Sequence, residues 1–264
     1  MKHLAKIGRI FYGISVFETG LQIVYFKRLP YWLIPHNYTQ LSGSKIFTVA
    51  VGILLTITGI SILLNKYTKP ASIISGMMLL LIFCFLYIPF QFSSATRYLN
   101  LLEWENALKE LAFASGVFIL LYQFEEKNEN ERTSFLKKLS STSYILFSVP
   151  ILCFGLVHIL YAKDVATYVP RWIPNQLFWT YLAGVALMGS GVSILITIKT
   201  QIVALLLGVM LLTWFLVLHI PRVLSSPAAY LNSEITSAIL ALAYCGIAFM
   251  IVGRAALPGS NYKK

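Results

Sequence analysis

His158, His219, Arg222 and Glu18 are the side chains of this 264-residue chain whose settings most need a chemical reason. Each lies inside or at the edge of a long uncharged run, and an ionisable group in a bilayer is costly enough to mark a functional position. Glu18 falls near the middle of the first run, where an isolated carboxylate must be protonated or paired. His158 and His219 each fall about a turn from the same end of their runs. Tyr161 follows the first, and Arg222 stands just beyond Pro221 after the second. Span direction therefore puts His158, Tyr161, His219 and Arg222 at one membrane depth. Beside them lies the loop "VPRWIP", whose Pro170, Trp172 and Pro174 form an aromatic, proline-bounded segment suited to a membrane interface.

Two readings of this constellation stay open. Each histidine can simply bond to a neighbouring helix or to the headgroup region. Alternatively, histidine and arginine grip the polar head of an amphipathic ligand in a pocket open to the non-cytoplasmic interface. Two histidines are too few for a metal site, with Asp164 and Glu234 only as supplements, so no metal is expected. No serine nucleophile with a base, phosphate loop or acid pair is present, so the catalytic residues are unknown. Cys84, Cys153 and Cys245 lie inside apolar runs with no C-x-x-C pair, which excludes the usual equipment of a thiol oxidoreductase.

The elements that position these groups follow from composition. With 58% apolar and 12% charged residues, and a mean hydropathy of +0.74, the chain needs lipid as solvent. Uncharged runs recur at 10–26 (broken by Glu18), 46–64, 70–92, 111–124, 143–162, 176–198, 200–221 and 235–253. About 20 residues cross the hydrocarbon core as a helix, so the expectation is an all-α polytopic membrane protein with eight transmembrane helices, the fourth marginally short. Basic residues ahead of the first run resemble a signal peptide, but Glu18 interrupts it and no small-x-small site follows, so it is kept as a span. The net charge of +11 is scattered among segment ends, which argues for topology and against nucleic acid. Thirteen Lys and Arg fall on the side of the N-terminus and eight on the other, which puts both termini in the cytoplasm.

The chain also repeats. Shifted by 132 residues, "GILLTITGISILL" from Gly52 falls on "GVALMGSGVSILI" from Gly184, and "GMMLLLIFCFLYIP" from Gly76 falls on "GVMLLTWFLVLHIP" from Gly208. The expectation is two tandem four-helix bundles, residues 1–124 and 143–264, joined by a polar cytoplasmic linker over 125–142. Four spans per unit make this a parallel repeat. Gly52, Gly59, Gly184 and Gly191 read as close-packing positions. Pro150 should kink its helix, and Pro89 and Pro221 should mark where two spans leave the membrane. "LPYWLIP", Leu29 to Pro35, parallels "VPRWIP". In the first unit Tyr87 stands for His219, Phe90 for Arg222, and Gln22 or Ile23 for His158, so any chemistry is expected in the second half.

"FGLVH" at 154–158, the "VPRWIP" loop, the glycine-rich run after it and the segment from Gly208 to "LHIPRV" resemble the DoxX-like family of four-span membrane proteins. Nearly all of the second unit carries the resemblance. The first unit keeps Gly20, Pro30, Trp32, Pro35 and the glycine pattern but lacks the histidine. The resemblance implies four-helix bundles, motif positions at His158, Pro170, Trp172 and Pro174, and an association with redox enzymes at the bacterial inner membrane. It also implies a quinone or other lipid as ligand. Three functions remain open: an accessory subunit binding such a lipid, an isoprenoid-type isomerase or oxidoreductase in its own right, and a small-solute transporter.

Overall fold

The computed structural model describes residues 2–38, 43–125 and 134–254. Residues 126–133 of the polar linker and the C-terminal residues 255–264 lie outside the described part. Eight long helices carry it: α1 (Lys2–Phe26), α2 (Lys45–Leu64), α3 (Thr68–Phe92), α4 (Glu105–Glu125), α5 (Ser134–Leu160), α6 (Gln176–Leu195), α7 (Thr200–Ser225) and α8 (Ala228–Arg254). There is no strand among the described residues. Six helical stretches are long and apolar enough to cross a membrane: α2, α3, 142–160 of α5, α6, α7 and 228–253 of α8. The protein is therefore an all-α integral membrane protein.

The helices pack in chain order as a closed ring. Each touches the next, α8 returns to α1, and α4 meets α8 across the middle. The first helix of each half thus packs against the last helix of the other, α1 on α8 and α5 on α4, and both halves contribute to one core. Enclosure explains why α4 is less apolar than its neighbours. Every residue from Ala107 to Leu121 except Lys109 is buried by protein, so this helix needs no lipid-facing surface.

Glycine sets the spacing of the ring. A Cβ on Gly8 would stand 2.4 Å from the Gly246 carbonyl oxygen, and one on Gly246 would stand 2.7 Å from that of Gly8, so α1 and α8 touch backbone to backbone. The α1–α2 and α5–α6 hairpins use the same device. A Cβ on Gly59 would meet the Phe17 nitrogen at 2.4 Å, and one on Gly191 the Leu152 nitrogen at 2.7 Å. Helices in lipid lack a hydrophobic effect to join them, so close approach and dispersion must hold them together. Gln22 reinforces the α1–α8 seam, its Nε2 donating to Asn232 O, Asn232 Oδ1 and Thr236 Oγ1, each at 2.8 Å.

Two local features recur 132 residues apart. The tight turn between α2 and α3 holds Asn65 and Tyr67 at positive φ, and the turn between α6 and α7 holds Thr197 and Lys199 likewise. Such conformations are costly for residues other than glycine. Within α3 a π-helical turn spans Phe83–Tyr87, and within α7 another spans Phe215–His219. Pro89 and Pro221 follow these turns, and the helices continue to Phe92 and Ser225, so the prolines do not end them. The π turn supplies the reason. Wide-turn bonds from Ile88 N to Phe83 O and from Ile220 N to Phe215 O shift the carbonyl register that a proline ring would otherwise strike. Likewise α5 runs on through Pro150 to Leu160.

Gly246→Val should open the α1–α8 seam and destabilise the protein by about 1–3 kcal/mol. Gly189→Ala, where nothing lies within 4 Å of an added Cβ, should not lower stability. Thermal unfolding of the two variants in the same detergent tests the difference.

Candidate functional site

The polar cavity lies in the first half. It occupies about 250 Å³ at the end of the bundle where α3 finishes and α4 begins. The segment after α1 roofs it with Tyr31, Pro35 and His36, α3 contributes Tyr87, Phe90 and Gln91, and Leu102, Glu103 and Asn106 form the opposite wall. Each element is held for an identifiable reason. Trp32, 4% exposed, anchors the roof against Phe113 of α4 with ring centroids 5.0 Å apart. The π turn delivers Tyr87 to its place, where its hydroxyl donates to the Tyr31 carbonyl. His36 meets the Phe90 ring edge-on at 5.0 Å, and the Arg97 guanidinium covers that ring at 4.5 Å.

Gln91 is the most informative lining group. It is fully buried, and its Nε2 donates to the Glu103 carbonyl at 2.8 Å. Its Oε1 has no partner among the described protein groups. A buried polar atom left unpaired costs about 1–3 kcal/mol, and such atoms collect where a ligand completes the network.

Glu110 lies one turn below Asn106 on α4, on the face shared by Glu103 and Asn106, and one residue ahead of the apolar run 111–124. It is fully buried, and neither carboxyl oxygen has a hydrogen-bond partner among the described residues. Tyr12 of α1, Tyr87 of α3 and Tyr244 of α8 stand within its electrostatic reach. All three hydroxyls are committed elsewhere, Tyr12 to Phe113 O at 2.7 Å, Tyr87 to Tyr31 O, and Tyr244 to Lys109 O at 3.0 Å. An acid in this setting persists as the neutral form.

The groups expected from sequence to converge are divided by the fold. α5 and α7 are not neighbours in the ring, so no described contact joins His158 to His219. His158 Nδ1 pairs with its own helix at Phe154 O, 2.8 Å away, and its Cβ lies against the Gly184 position. Tyr161 reaches into the first half, its hydroxyl donating to Asn100 Oδ1 at 3.4 Å. His219 and Arg222 do cluster, with Glu234 and Tyr168. The Arg222 fork grips both Glu234 oxygens, Nε to Oε2 at 2.8 Å and Nη2 to Oε1 at 2.5 Å, and its Cζ lies 4.8 Å above the Tyr168 ring. His219 Nδ1 is buried beside this pair without a partner among the described residues.

Pro170 is half-buried, while Trp172 and Pro174 are exposed, with Trp172 at 71%. The two proline-bounded loops therefore differ: the first is tucked into the core and roofs a cavity, and the second lies on the surface. Asp164 is exposed, and Glu18 is half-buried with no hydrogen bond or ion pair among the described residues. No three His, Cys, Asp or Glu gather as metal ligands among the described residues. The polar cavity and the buried Glu110 lie in the first half, and the His219, Arg222 and Glu234 cluster lies in the second.

Glu103, Asn106, Glu110 and Gln91 are what reading the sequence missed. Their signal was the 3-and-4 spacing of Glu103, Asn106 and Glu110 ahead of Leu111, a polar stripe on one helical face. No family model, curated protein or solved structure matches the chain.

Ionising a fully buried carboxyl that has no hydrogen-bond partner is costly, so the geometry favours the neutral acid. Glu110→Gln, which keeps the shape without the titratable group, should preserve the fold. Infrared difference spectra at pH 7 should show a protonated-carboxyl C=O stretch in the native protein that Glu110→Gln lacks. Its absence from the native protein would show the acid to be ionised and paired.

Proposed function

We propose that this protein is an eight-span membrane protein of two DoxX-like units that binds the head of an amphipathic lipid at the non-cytoplasmic face. In this reading it is an accessory subunit for a redox or envelope process at a bacterial inner membrane, with both termini cytoplasmic and a quinone or similar lipid as ligand. The eight-span count is supported by α1 and α4, which lie in the ring beside the six strongly apolar helices although they are more polar. The duplication is supported by the positive-φ turns and by the two π turns, each pair 132 residues apart. Chance similarity of apolar sequence does not produce matching irregularities of backbone.

The observation that carries the function is the cavity with the unpartnered Gln91 Oε1 at its buried side. Its aromatic walls suit a flat or ring-bearing head. The tucked roof, the π turns and the exposed Trp172 all lie near the helix ends, where an amphipathic lipid keeps its head. A second reading, an isoprenoid-type isomerase or oxidoreductase, draws on Glu110, a neutral acid in reach of the cavity-lining Tyr87. Turnover of an isoprenoid substrate by the purified protein, lost in Glu110→Gln, would favour it.

Protein extracted gently from its membrane should carry a ring-headed lipid detectable by mass spectrometry. Gln91→Leu should deplete that lipid several-fold, whereas His219→Leu should retain it. Equal depletion by both variants would return the site to the second half, and a native protein with no enriched lipid would remove the reading.

A further inference from the structure

Glu110 stands one turn along α4 from Asn106, which lines the polar cavity together with Glu103 on the same helical face. Residues so spaced lie about 5–6 Å apart at Cβ. Asn106 is exposed and Glu110 is fully buried, so the step from open water to enclosed acid is made within one turn of one helix. Neither Glu110 oxygen has a hydrogen-bond partner among the described residues, which leaves the carboxyl able to bond to a water that reaches it.

The other approaches are closed among the described residues. From Leu111 to Leu121 every residue of α4 is buried, which seals the acid from the far end of the helix. Tyr12, Tyr87 and Tyr244 stand within its electrostatic reach, and each gives its one hydroxyl proton to a backbone carbonyl, of Phe113, Tyr31 and Lys109 respectively. An amide carbonyl accepts a hydrogen bond but has no proton to pass on, so a relay through Tyr12 or Tyr244 ends inside the bundle. Tyr87 and the Asn106 face of α4 both lead to the cavity instead. The nearby charges on α4 are Glu103 and the Glu105–Lys109 pair, and His158 of α5 is within reach of Glu105.

We infer that Glu110 is a proton-binding site in exchange with the aqueous phase at one face of the membrane, and that the cavity is its entrance. The carboxyl O–H breaks as a water passing Asn106 gains the proton, and the reverse step restores the neutral acid. An acid with a purely structural part would keep its proton for as long as the core stays folded. Nothing in this depends on which head the cavity accepts, because it needs only water and the α4 face.

Infrared spectra of the protein in membrane films, recorded while H2O buffer is replaced by D2O, follow the carboxyl C=O stretch that Glu110→Gln removes. In the native protein the band should move to lower wavenumber within minutes, well ahead of the core amide groups seen in the same spectra. Asn106→Leu, an apolar plug at an exposed position, should slow that shift about tenfold or more, whereas Asn106→Ser, which stays polar, should not. A band that shifts only together with the core amides would reveal a sealed structural acid and overturn the inference, as would a native protein without the band. Exchange in Asn106→Leu as fast as in the native protein would overturn the cavity as entrance. The native comparison with the amides stands even if a variant fails to fold, and none of these outcomes bears on whether the cavity holds a lipid head.

Discussion

The backbone contact of Gly8 with Gly246 is the constraint on which the remainder of the structure depends. In a bilayer nothing analogous to hydrophobic collapse draws α1 to α8, so the seam exists only because two missing Cβ atoms let the helices meet. Gln22, bonded three ways to the start of α8, pins one end of it. Closing α1 on α8 completes the ring and encloses α4. That enclosure is what allows an acid such as Glu110 to sit at the centre of a membrane protein. On a lipid-facing helix the same residue would meet hydrocarbon with no alternative, whereas here it is enclosed by protein.

The π turns set the second level of control. A regular helix rotates each residue by a fixed step, and one wide turn advances everything after it by about one residue's rotation. In α3 this happens just before the end of the helix, so Tyr87, Phe90 and Gln91 present a different face from the one their apolar neighbours established. In α7 the same shift aims His219 and Arg222 toward α8, where Glu234 receives the guanidinium. The two halves use one backbone device to turn polar groups away from lipid, but they resolve it differently. In the second half the charges satisfy each other. In the first, an amide oxygen is left over beside a cavity.

Much of this was legible in the sequence, and the limits have physical causes. Helix positions followed from uncharged runs because lipid forces every backbone group to be satisfied within its segment. Gly52, Gly59, Gly184 and Gly191 were correctly read as close-approach positions, and their contacts bear this out. Ring closure was not legible, since hydropathy reports what faces lipid and is silent on which helix faces which. The π turns were not legible, because nothing local announces one; the helices run on past Pro89 and Pro221 to Phe92 and Ser225 once the carbonyl register has shifted. His158 and His219 share a depth by span direction, but depth is one coordinate, and the ring puts them on non-adjacent helices.

The pull of the second half on a reading of the sequence has a more general cause. Histidine and arginine in apolar runs attract attention because their charge is expensive, and the second half displays both. Yet a charge that has found its counter-charge has less left to offer: Arg222 is forked onto Glu234 and lies over the Tyr168 ring. Gln91 and Tyr87 are uncharged and passed as ordinary members of an apolar helix. Their significance comes from what their neighbours leave unpaired, a property of the fold that no residue type carries by itself. In the first half that property belongs to Gln91 Oε1, and in the second to His219 Nδ1, buried without a partner among the described residues beside the Arg222–Glu234 pair.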